Sequence, residues 1–128
     1  MQQPPSRSGG FALRAGAWLG AAAVALGAFG AHAMKSSYDE AAQSAFEVGV
    51  RYQMYHALAL ALCGLLHAIG WRTKLPAALF AVGVVLFSGS LYGLALADMR
   101  WLGPITPIGG LAFIAGWVAL AFAPRKPD

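Results

Sequence analysis

Four stretches of this chain, about 11–33, 52–71, 76–97 and 105–123, stay apolar for some twenty residues each. At about 1.5 Å per residue, such a helix covers the roughly 30 Å hydrocarbon core of a bilayer. A chain of 128 residues makes one domain at most and has too little interior to hide four such stretches from water. Charged residues are only 11% of it, against about 25% in an ordinary soluble domain. The expected fold is therefore all-α: a single membrane domain of four transmembrane helices, over 11–123, with a flexible tail at 1–10 and a short one at 124–128.

A net charge of +4 invites a nucleic-acid reading, but the nine basic residues are scattered near the ends of the apolar stretches rather than gathered on one face. That distribution carries topology. With four spans, Arg7, Arg14, Arg72, Lys74, Arg125 and Lys126 share one side and Lys35, Arg51 and Arg100 the other. Both termini are thus expected in the cytoplasm of a bacterium, with the lipid bilayer as the first partner and no nucleic acid. Cys63, the single cysteine, allows no intrachain disulfide and reads as a small buried apolar residue.

Span 1 carries Gly16, Gly20, Ala23, Gly27 and Gly30 at steps of three and four, a strip on which another helix backbone approaches closely. Arg7, Arg14 and Ala31-His32-Ala33 also resemble a secretory signal with its cleavage site, and the acid-free start an organellar transit sequence. The apolar run is long enough to span, which favours a retained helix. Further strips are Gly89, Gly93 and Ala97 in span 3, and Gly109, Ala112, Gly116, Ala119 and Ala123 in span 4. With three strips, at least one is expected to stay free for a homo-oligomer or a larger membrane complex.

Between spans 1 and 2, Ser37-Tyr38-Asp39-Glu40 reads as a capping box with Ser37 as N-cap. It opens a helix whose first part, about 38–51, lies at the membrane surface and whose remainder crosses, with room for a bend near Gly49. Pro76 suits the first turn of the next helix.

Threading the spans draws nearly all hydrogen-bonding side chains to one leaflet. His32 ends span 1; Glu47, Arg51, Tyr52, Gln53, Tyr55 and His56 open span 2. Ser88, Ser90 and Tyr92 fall in the same half of span 3, and Thr106 opens span 4. Three readings stand for this cluster. The favoured one is structural: Arg51 pairs with Glu47 or Asp98, the tyrosines anchor at the headgroups, and hydroxyls bond between helices. The second is a pocket for a lipid, quinone-like molecule or other amphiphile, with Arg51 and His56 at its polar end. The third is chemistry or ion movement.

The last finds little support. No Asp or Glu lies at mid-membrane in any span, so a proton relay lacks its middle step. His56 and His67 are about 16 Å apart along a helix and cannot share a metal ion. His32 with His56 would still lack a third ligand. Neither a nucleophile elbow nor a phosphate-binding glycine loop is present, and no cofactor is implied.

The segments Gly27-Ala28-Phe29-Gly30-Ala31-His32-Ala33, Gly49-Val50-Arg51-Tyr52-Gln53-Met54-Tyr55-His56-Ala57-Leu58-Ala59-Leu60, Leu86-Phe87-Ser88-Gly89-Ser90-Leu91-Tyr92 and Ile105-Thr106-Pro107-Ile108-Gly109-Gly110 follow one another in a familiar order. Together they resemble the small membrane-protein family catalogued as domain of unknown function 423, which is similar to transmembrane protein 256. The likeness touches all four spans, roughly 15–122. It implies an integral protein of the bacterial inner membrane and brings no reaction, cofactor or ligand. The expected function is accordingly non-enzymatic, in helix packing or complex association, with the amphiphile binder as the alternative.

Overall fold

The computed structural model describes residues 7–128; among them no strand forms. Helix α1, Arg7–His32, begins four residues ahead of the apolar run. The expected tail is thus helical from Arg7 onward, and the rest of it, residues 1–6, lies outside the described residues.

Helix α2, Glu40–Ala68, is capped by Asp39 and not by Ser37: the Asp39 carboxylate accepts from the Ala42 N–H at 2.8 Å. The cause lies upstream. The N–H groups of Ser37 and Tyr38 still donate to the Met34 carbonyl, so the chain at that point is closing off α1 rather than starting α2. The helix then runs unbroken through Gly49. It ends three residues before Trp71 because Gly70, at φ +97°, takes the left-handed conformation that terminates helices. The Trp71 N–H reaches back to the Leu66 carbonyl and the Gly70 N–H to that of His67, satisfying two of the last free acceptors.

Helix α3, Lys74–Gly83, continues through a π-turn, Val84–Ser88, into α4, Gly89–Ala97. Pro76 sits in the first turn as expected. The π-turn, unforeseen from the sequence, sets Phe87 against Gly109 on one side and Ser88 against Gly49 on the other. Asp98, with φ 49°, ends this helix, and a 3₁₀ turn at Arg100–Leu102 leads into α5, Ile105–Ala121.

Four helical rods thus result: α1, α2, α3–α4 and α5. Three, bounded as Gly9–His32, Lys74–Ala97 and Arg100–Ala121, are long and apolar enough to cross a membrane. α2 has the length, at 29 residues, but its first half is polar. α1 packs along α2, α3–α4 covers another side of α2, and α5 packs on α3 and the π-turn. One core gathers Ala59, Cys63, Phe80, Val84 and Phe113, and a second gathers Met34, Phe46 and Ala95. Trp18, Leu58, Val85 and Ile114 point away from the bundle, as lipid-facing side chains would.

At one end the start of α1, the α2–α3 turn and the C-terminal tail come together. Gly9 lies against Gly64 and Ala68. The Arg72 N–H donates to the Pro124 carbonyl at 2.8 Å, the Lys126 N–H to that of Gly70 at 2.7 Å, and the Arg125 guanidinium lies over the Trp71 ring.

Candidate functional site

The 3.6-residue period of α2 decides the fate of the expected polar cluster. Residues that are neighbours in the sequence leave the helix in different directions, so the cluster divides among three environments.

Tyr52 and His56 face α5. The His56 ring is buried and stacks on Phe113, with centroids 3.5 Å apart and planes 9° from parallel; Phe80 lies beside it. Its Nδ1 lies 2.7 Å from the Tyr52 carbonyl, and the Trp117 indole N–H donates to its Nε2 at 3.1 Å. An indole N–H only donates and a carbonyl only accepts, so the ring must carry its proton on Nδ1 and leave Nε2 bare. Both nitrogens are thereby taken up inside the protein. The open side of this aromatic wall, lined by Tyr52, Tyr55, His56, Phe87, Ile114 and Trp117, is a shallow groove of about 540 Å³.

Gly49 and Gln53 face the bundle interior. Ser88 Oγ, fully buried, donates to the Gly49 carbonyl at 2.7 Å. The Tyr92 hydroxyl donates to Gln53 Oε1 at 2.6 Å, while Gln53 Nε2 donates to the Leu19 carbonyl at 2.8 Å. One carboxamide therefore ties α1, α2 and α4 together. Ser90 shares a hydrogen bond with Thr106 and also donates to the Phe87 carbonyl, joining α4 to the start of α5.

Glu47 and Arg51 face outward and pair with each other; Asp98 pairs with Arg100 instead. Between the end of α1 and the start of α2, a cleft of about 430 Å³ has Gly27, Gly30 and Phe46 in its walls, with Lys35, Glu47 and Arg51 among its polar residues. His32 is exposed and has no part in the cluster, because α1 ends there and turns away. Tyr55 is also exposed and lines only the groove.

The small-residue strips are only partly used. A Cβ on Gly16 would meet the Ala57 carbonyl oxygen at 2.6 Å and the Ala61 nitrogen at 2.8 Å, so α1 and α2 touch backbone to backbone there. Gly30 is closed by Phe46 and Gly116 by Phe80, whereas Gly20 and Gly27 have looser contacts. Gly109 meets the Phe87 backbone. The span-3 strip does not pack on a helix: Gly93 is covered by Leu102 of the following turn, and Gly89 faces open space.

Sequence reasoning left Gln53 within the cluster without a role, and it missed Trp117 and Thr73. Thr73 Oγ1 donates to the Cys63 carbonyl at 2.6 Å, locking α3 to α2 from a buried position. Gln53 had a readable cue, a carboxamide able to donate and accept at the entrance to an apolar helix. Trp117 had none, since its partner lies sixty-one residues away.

Residues 26–110 match the family model described as "Protein of unknown function (DUF423)". A membrane protein of Staphylococcus haemolyticus, named as a UPF0382 membrane protein, is 47% identical over 108 residues, 80% of this chain and 85% of that protein. The UPF0382 membrane protein YwdK of Bacillus subtilis is 44% identical over 108 residues, covering 81% and 87%. The UPF0382 inner membrane protein YgdD of Escherichia coli is 41% identical over 101 residues, covering 76% of each. No solved structure matches the chain.

Proposed function

The chain belongs to the DUF423 family of membrane proteins, and on that premise we propose that it is a four-span protein of the bacterial inner membrane that acts by packing and association rather than by catalysis. α2 is the fourth span in this reading. It lies between α1 and α3–α4, both apolar enough to cross, and runs antiparallel to them. The basic turn at 72–74 and the basic C-terminal tail meet at one end of the bundle, which supports both termini in the cytoplasm.

The observation that carries the non-enzymatic reading is the internal satisfaction of the polar cluster. His56, Gln53, Ser88, Ser90 and Tyr92 each bond to a group on another turn or helix, so none is left poised toward a substrate. Association would use the outward faces, among them the open Gly89 ridge, onto which a second helix could pack closely. The test is native mass spectrometry of the protein released from its own membranes, beside Gly89→Leu. A self- or partner-complex that the substitution breaks supports the reading; bare monomer in both samples removes it.

The amphiphile reading keeps one observation in its favour, the Lys35–Arg51 cleft with its apolar walls. Its polar end there would be Arg51 rather than His56, whose ring nitrogens are engaged by Trp117 and the Tyr52 carbonyl. A small retained mass lost in Arg51→Ala, with the bundle still folded, would favour it over association.

A further inference from the structure

A second apolar recess lies at the opposite end of the bundle from that cluster. α1 and α3 both pack on α2 and leave between them a groove of about 410 Å³, within the roughly 300–1,000 Å³ of ordinary ligand sites. Phe11 and Ala15 form one wall, Ala78 and Ala81 the other, and Leu60 and Cys63 the floor. From Lys74 to Ala81 it runs about 10 Å along the helix, most of the roughly 15 Å depth of one leaflet.

Its mouth is cationic. Lys74 lines it, and Lys126 is held at the same end by the bond of its N–H to the Gly70 carbonyl just past α2. Arg72 and Arg125 stand in the adjoining segments. Of the five acids in the chain only Asp128 is at this end, and both ion pairs among the described residues are at the other. An apolar slot running most of a leaflet's depth under an excess of cations complements a molecule with an acyl chain and an anionic head.

We propose that this groove seats one acyl chain of an anionic phospholipid, with its phosphate held by Lys74 and the neighbouring basic residues. The proposal rests on the four-span reading, because the groove must open into the bilayer. Alanines on both walls leave the slot unfilled, and α1 cannot slide in to close it, because backbone contact at Gly16 and Gly64 fixes it on α2.

The test reconstitutes the full chain in phosphatidylcholine vesicles containing a trace of phosphatidylglycerol with a photoactivatable diazirine in the upper half of one acyl chain. A matched phosphatidylcholine probe is run beside it, and adducts are mapped by mass spectrometry. Phosphatidylglycerol adducts are expected to concentrate on 11–15 and 77–81, several-fold above the phosphatidylcholine probe. Ala78→Trp, at an exposed position on the groove wall, should abolish them while adducts at the outward-facing Leu58 and Leu62 persist. Arg72→Gln with Lys74→Gln should bring the two probes level. Equal labelling by both probes in the unaltered protein, or adducts indifferent to Ala78→Trp, would overturn the proposal and leave the four-span reading standing. Absence of label at Leu58 and Leu62 would remove α2 from the bilayer, and the proposal with it.

Discussion

Trp117 on α5 donates its indole N–H to Nε2 of His56 on α2, across a gap where the two helices meet through large rings. The bond fixes which histidine nitrogen holds the proton, because the Tyr52 carbonyl on the other side can only accept. His56 thus stands between α2 and α5 with both ring nitrogens engaged.

Nitrogen NMR of the imidazole should therefore report the Nδ1–H tautomer, with Nε2 unprotonated. In Trp117→Phe the ring contact is largely kept while the donor is lost. That variant should show a mixed tautomer population and a loss of about 0.5–1.5 kcal/mol in stability, the usual net worth of one hydrogen bond. An unaltered tautomer in the variant would mean that Tyr52 alone sets it.

Gln53 should be the costliest single polar residue to remove. In Gln53→Leu the partly buried Tyr92 hydroxyl loses its acceptor and the Leu19 carbonyl of α1 loses its side-chain donor, for an expected cost of about 1–3 kcal/mol. Tyr92→Phe should cost less, since Gln53 keeps its bond to Leu19. A double-mutant cycle between them should give a coupling of about 0.6 kcal/mol, the average between membrane helices, and no more than about 1.7. Denaturant titration in mixed micelles reads all three quantities.

Much of this fold was legible because its causes are local. Apolar length marked the rods, Pro76 the start of α3, and the steps of glycine the α1–α2 contact at Gly16. The cap at Asp39 was misplaced because the sequence does not show that the Ser37 N–H is already donating to Met34. The cluster was legible as a concentration of polar groups at one end but not as three separate sets. Their separation depends on which neighbour each face of α2 meets, and those neighbours come from residues as distant as Trp117. The π-turn coincides with the packing of Phe87 against Gly109 and Ser88 against Gly49, neither of which leaves a trace in a single-helix pattern.

The glycine contacts divide into those that tolerate a side chain and those that do not. Gly16→Leu and Gly64→Leu each drive a side chain into the backbone of the facing helix, and overpacking of that kind costs about 1–3 kcal/mol or more. Gly89→Leu meets nothing within the chain, so its thermal stability in detergent should match the unaltered protein. An equal loss at Gly16 and Gly89 would contradict the α1–α2 interface described here.

Arg51→Ala should scarcely change stability. Its pair with Glu47 is one helical turn apart and largely exposed, with both side chains more than half accessible, and such pairs contribute about 0.3–0.5 kcal/mol. A loss well above that in a thermal melt would place Arg51 against a partner outside the chain.

Membrane topology follows from which turns meet at which end. Cys63 is buried and the Thr73 bond uses only its carbonyl, so Cys63→Ala gives a background free of thiols in which single cysteines can be introduced. Lys35→Cys and Arg100→Cys should react with an impermeant maleimide added to intact cells. Arg72→Cys and Lys126→Cys should react only once the membrane is opened, because their segments pair with each other at the other end of the bundle. The full inverse pattern would keep four spans and reverse the orientation. Reaction of positions 35 and 72 from the same side would mean that α2 does not cross, and its polar first half would then outweigh its apolar second.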